Sequence, residues 1–144
     1  MIMEPIIDNF KVYSKGTEGR KQVAKNFVVN EFASKDGADI VIINDLLPVV
    51  CQLVRNWFGY SFSPTSAYRT VTHNKSVGGA TKSNHIYGMA VDIPTMGKIK
   101  PIELYNFLDK LFSDSCEIGL YSWGVHFAPT KEKSRFTDKS YKEG

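Results

Sequence analysis

SAYRTVTHNKSVGGATKSNHIYGMAVDI, residues 66–93, is the stretch on which the reading of this chain turns. It opens at the end of a strand-like YSFSPTSAY and closes on MAVDI (89–93), which also reads as a strand. From Arg69 to Asn84 runs a Gly- and Ser-rich connection of about 15 residues without apolar periodicity. A connection of that length is uncommon as mere linkage and points to function. His85 lies in the stretch, and Asp92 follows it by seven residues. Gly78, Gly79 and Gly88 allow close backbone approach or positive φ. GGATKS (78–83) ends in Lys-Ser like a phosphate-binding loop, but no Gly precedes Lys82 and the required spacing fails.

Working outward, NFVVNEFASKDG (26–37) has a short apolar start and a turn signal at Asp36-Gly37, and DIVII (39–43) suits a small strand or an extended connector. From Asn44 to Phe58 the apolar residues Leu46, Leu47, Val50, Leu53, Val54, Trp57 and Phe58 recur at helical spacing. Asn44 and Asp45 suit the start of that helix, Pro48 its first turn and Gly59 its end. Trp57 and Phe58 are expected in the core. PIELYNFLDKLF (101–112) predicts a second amphipathic helix with Pro101 at its first position and Leu104, Phe107, Leu108 and Leu111 on one face. EIGLY (117–121) and WGVHFA (123–128) predict a closing pair of strands. Helices and strands do not alternate regularly, so the expected class is α+β: a single compact domain with a small antiparallel sheet and flanking helices. Residues 1–25 read as an irregular lead-in, 26–128 as the domain, and 129–144 as a charged, solvated tail.

Composition narrows the function. The 144 residues are 42% hydrophobic with a net charge of +3, which excludes a disordered or collagen-like chain. No apolar run approaches a membrane span. The opening MIMEPIIDNFK lacks a secretion signal's basic region and apolar core, so cytoplasmic synthesis without a signal peptide is expected. Aromatic residues are not interleaved with basic ones, so no nucleic-acid partner is expected. Cys51 and Cys116 make neither a disulfide framework nor a metal clip, and Cys51 reads as a buried structural thiol.

His126 stands in the terminal strand GVHF. Two imidazoles and one carboxylate (His85, His126 and Asp92) form a ligand set suited to zinc with a fourth position open to water. Spacing alone leaves open whether these histidines are ligands or hydrogen-bonded structural residues.

The wider string resembles the zinc D-Ala-D-Ala carboxypeptidase family, which includes phage endolysins and shares the hedgehog/DD-peptidase fold. S-x-Y-R, H-N, V-G-G-A, S-x-H-x-x-G-x-A-x-D and a late G-x-Y followed by V-H carry the resemblance, from about Asn26 to Phe127. It implies His85, Asp92 and His126 as zinc ligands, Arg69 as the cation that steadies a substrate carbonyl or carboxylate and the developing oxyanion, and Ser83 as a contact to substrate or to the ligands' surroundings. His73 and Asn74 are expected to order the loop. In that family a carboxylate three residues before the last histidine often acts as general base; here that residue is Trp123. Compact relatives often carry an aspartate two residues after it; here it is Ala128. Glu117 is the first candidate for a replacement base.

The resemblance implies a zinc peptidase acting on peptidoglycan peptides at the bacterial cell wall, released from the cell or carried in a virion. The alternative is a non-catalytic zinc-binding module that binds the wall or serves as a structural component of a larger assembly such as a virion.

Overall fold

The structure, a computed structural model, describes residues 9–142; the start of the expected lead-in and the last two residues of the expected tail lie outside the described residues. Strands occupy Phe10–Ser14 (β1), Gln22–Ala24 (β2), Phe27–Val28 (β3), Ile40–Asn44 (β4), Val91–Pro94 (β5), Glu117–Tyr121 (β6), Gly124–Ala128 (β7) and Ser134–Thr137 (β8). Helices occupy Lys15–Glu18 (α1), Leu46–Phe58 (α2), Val71–Ser76 (α3) and Pro101–Leu111 (α4). The α+β class expected from the sequence is the one observed. No helix among the described residues is long and apolar enough to cross a membrane.

The helix signals act as their chemistry dictates. Asn44 Oδ1 accepts from the Leu46 amide at 2.9 Å, Pro48 falls in the first turn of α2, and Gly59 closes it in the left-handed region at φ 73°. Pro101 opens α4, where the Lys100 amide donates to Glu103 Oε2 at 2.8 Å. Trp57 departs from expectation. At the last turn of α2 it reaches past the buried layer, stays 71% exposed and stacks on Phe107 of α4 at 5.6 Å.

The main sheet has the order β5-β7-β6-β8. β5, β7 and β6 are antiparallel, as expected, and β8 joins the edge of β6 in parallel. Alternation along these strands sends Val91, Ile93, Ile118, Leu120, Val125 and Phe127 into one core with Leu104 and Leu108 of α4 and Leu47 and Val50 of α2. Each such buried side chain contributes roughly 1.5–3 kcal/mol. The opposite face of the sheet is left for other chemistry.

Two segments expected to be irregular are built into the fold. β1 pairs with β4 from Phe10–Asn44 to Ser14–Ile40, so the β-branched run of β4 recruits a partner from the lead-in. The supposed tail supplies β8, pinned by Arg135. Its guanidinium donates to the carbonyls of Phe112 (2.6 Å), Ser115 (3.1 Å), Cys116 (2.6 Å) and Ser134 (2.9 Å) and to Asp109 Oδ1 at 2.7 Å. One side chain thereby ties the end of α4 to the start of β6. Cys51 and Cys116 are both free and buried, and burial pushes the Cys51 thiol far above its ordinary pKa.

Candidate metal centre

Strand register builds the site. Asp92 on β5 is the partner of His126 on β7, His126 of Gly119 on β6, and Gly119 of Phe136 on β8. The four residues form one row across the sheet, on the face turned away from the core. His85 comes to this row from a 3-10 turn, Asn84–Tyr87. Ser83 Oγ accepts from the His85 amide at 3.2 Å to start the turn, and Gly88 ends it at φ 68° against the carbonyl of Ile42, where no β-carbon fits. The S-x-H-x-x-G spacing thus supplies the cap, the histidine and the left-handed stop of one turn.

The three side chains offer ligand atoms that all lie within 4.8 Å of one another. His85 Nε2 is 3.2 Å and His126 Nδ1 3.0 Å from Asp92 Oδ1. Ligands about 2.0 Å from a tetrahedral zinc sit roughly 3.3 Å apart, so the spacing fits. His85 Nδ1 donates to the Ala67 carbonyl at 2.6 Å, so whenever the ring is neutral its lone pair is on Nε2, the nitrogen that faces Asp92. His85 and Asp92 are 2% and 8% exposed, and a buried donor set with one open side suits a metal that must also meet a substrate. Burial opposes ionisation of Asp92, but hydrogen bonds from His126 and His85 hold its carboxyl well below the usual range. Burial likewise opposes charge on His126, yet its bonds to Asp92 and Glu117 push it up to about 9.

The row opens into a cleft of about 460 Å³. Arg69, on one wall, is held by Ser66 Oγ (2.9 Å) and Asn74 Oδ1 (3.2 Å), with Nη2 at 3.7 Å from Asp92 Oδ2. Buried Asn74 in turn donates to the Ala80 carbonyl at 2.8 Å and packs where a β-carbon on Gly79 would stand. Asn74 therefore orders the loop, whereas His73 enters through its backbone amide, which donates to Thr70 Oγ1 at 3.0 Å. Ser83 lines the cleft while it caps the turn.

Glu117, the candidate base, is engaged elsewhere: its Oε1 accepts from His126 Nε2 at 2.6 Å. Trp123 stacks on Tyr121 at 4.9 Å, and both line the cleft with Phe136. Sequence reasoning missed this aromatic wall. Tyr121 and Trp123 read as ordinary strand residues, and Phe136 lay in a segment too short and charged to signal a strand.

Residues 21–128, about three quarters of the chain, match the family model described as peptidase M15. No curated protein and no solved structure matches.

Proposed function

Since the chain belongs to the peptidase M15 family, we propose that it is a zinc peptidase that hydrolyses peptide bonds in peptidoglycan cross-links, with the cell wall as its site of action. The observation that carries this reading is the buried convergence of His85, Asp92 and His126 on one point at the floor of an open cleft.

In this reading His85 Nε2, Asp92 Oδ1 and His126 Nδ1 hold the metal. Zinc bound there would polarise a scissile carbonyl and lower the pKa of a water ligand to about 7. Arg69 presents a charged fork, already braced by Ser66 and Asn74, to a substrate carboxylate or to the oxygen on which charge develops. The aromatic wall of Tyr121, Trp123 and Phe136 keeps one side of the cleft apolar. The segment 26–128 carries these groups except Phe136, which β8 adds.

A second reading is favoured by one observation: Trp123 stands where a base is expected, and Glu117 is bonded to His126. A module that binds zinc and wall peptides without turnover, or forms part of a larger assembly, accounts for that pair. The deciding test is zinc content measured alongside cleavage of defined muropeptides by wild type and His85→Ala. Zinc-dependent cleavage lost in the variant supports the peptidase; fully metallated wild type that is inert on every wall peptide supports the binding module.

A further inference from the structure

The carboxylate of Glu117 has an unusual address. In the β6–β7 register Glu117 is opposite Ala128, and Gly119 is opposite His126. Glu117 and Gly119 lie on the same face of β6, two residues apart, as do His126 and Ala128 on β7. Glu117 is thus the diagonal neighbour of His126, and diagonal partners meet only when a long side chain bridges the gap. Two small residues permit it. Gly119 puts no side chain directly across from the imidazole, and Ala128 puts only a methyl across from Glu117. The outcome is the 2.6 Å bond from His126 Nε2 to Glu117 Oε1. The same oxygen accepts from Asn84 Nδ2 at 3.5 Å, and Asn84 begins the turn that carries His85. One carboxylate oxygen therefore touches both segments that bring histidines to the site.

A carboxylate only accepts, so its partner on the imidazole must be an N–H. With the proton fixed on Nε2, the lone pair of a neutral His126 must be on Nδ1, the nitrogen that faces Asp92. Paired with a carboxylate, that nitrogen is also the more basic donor. His85 receives the same service from a neutral group, the Ala67 carbonyl.

We infer that Glu117 is the positioning residue that orients His126 and fixes its tautomer for metal binding, rather than the general base of the reaction. The inference rests on the metal-centre reading above and deepens it.

The test compares full-length wild type, Glu117→Gln and Glu117→Ala. Zinc affinity is measured by competition with a chelator, and the cobalt(II)-substituted proteins are compared by visible absorption. Thermal melts of the chelated proteins check the fold. Glu117→Ala should lose roughly 10–100-fold in zinc affinity and show altered cobalt bands. Glu117→Gln, whose amide oxygen can still accept from Nε2–H, should keep the wild-type bands with an intermediate loss of affinity. Should Glu117→Ala not fold, the loss in Glu117→Gln alone carries the test. Wild-type affinity and spectrum in the folded variants, with or without lost turnover, overturn the inference and leave the metal centre standing. Wild type that takes up no zinc overturns both.

Discussion

Gly119 and Phe136 are register partners across the parallel β6–β8 pair, and the far edge of the Phe136 ring lies where a β-carbon on residue 119 would stand. The ring also lies 6.1 Å from the His126 ring and 5.9 Å from Tyr121. The absence of a side chain at residue 119 is what admits an aromatic wall beside the candidate ligand. Gly119→Ala should cost about 1 kcal/mol, at the low end for overpacking, because Phe136 is 36% exposed and can swing outward. In Gly119→Ala/Phe136→Ala the clash is gone, so the two effects should couple by at least about 0.5 kcal/mol. Urea denaturation of the two single variants and the double variant measures this; strict additivity would show that the ring does not rest on residue 119.

Metal content is the most direct check on the ligand set. Wild type should carry about one zinc per chain after dialysis, and His85→Ala or His126→Ala should carry little, because two remaining protein ligands make a weak site. Stoichiometric zinc retained in both variants would remove these histidines from the assignment.

Arg69 should separate holding the metal from using it. Arg69→Lys keeps the charge but loses the fork that spans Ser66 and Asn74, so zinc content should be unchanged. Turnover of a cleaved muropeptide should fall about 10²–10³-fold. A variant with near-wild-type kcat/KM would assign Arg69 to loop structure alone.

Stability of the chelated protein should depend on pH through His126. Its folded-state pKa, pushed up to about 9, lies above the ordinary 6.5 of an unfolded chain. Its contribution is therefore complete below about pH 6.5 and is lost as the pH rises through about 9. Asp92 and Glu117 are held low by the same contacts, so theirs is present above about pH 5 and fades in acid. Calorimetry on chelated protein should give the highest Tm between about pH 5 and 6.5. The alkaline decline should flatten in His126→Gln; an unchanged alkaline limb in that variant would refute the assignment to His126.

Arg135 offers a test of β8 as part of the fold. Arg135→Ala strips four carbonyls and Asp109 of a charged donor and should cost about 2–4 kcal/mol by urea denaturation. Arg135→Lys should recover less than half of that loss, since an ammonium cannot span the same acceptors. A loss below about 0.5 kcal/mol in Arg135→Ala would return β8 to the status of a loose tail.

Legibility from sequence followed the range over which each signal acts. The two long helices were readable because capping and apolar periodicity lie within a few residues: Asn44, Pro48 and Gly59 for one, Pro101 for the other. His85 and Asp92 were readable because a capped turn and a strand sit side by side in one stretch. Glu117 was named as a candidate base, but its bond to His126 was not foreseen. Which group it meets depends on a diagonal across a strand pair, and periodicity within a single strand carries no record of that. β1 and β8 were missed because each is short and takes its stability from a distant element, β4 for one and the Arg135 acceptors for the other. Trp57 was misplaced because helical phase tells which way a side chain points but not where the layer beneath it ends.

The row Asp92, His126, Gly119 and Phe136 has a consequence for how the chain matures. A slip of β7 by one residue would turn His126 inward and present Phe127 or Val125 to the cleft, since successive side chains on a strand face opposite ways. In the proposed centre, metal uptake would therefore proofread strand pairing. A misregistered sheet would contain the same three ligands in its sequence and still hold no ion. Zinc occupancy across a preparation would then count correctly assembled sheets, and a chelator-sensitive melting transition would report the register of β5, β7 and β6 in a single number.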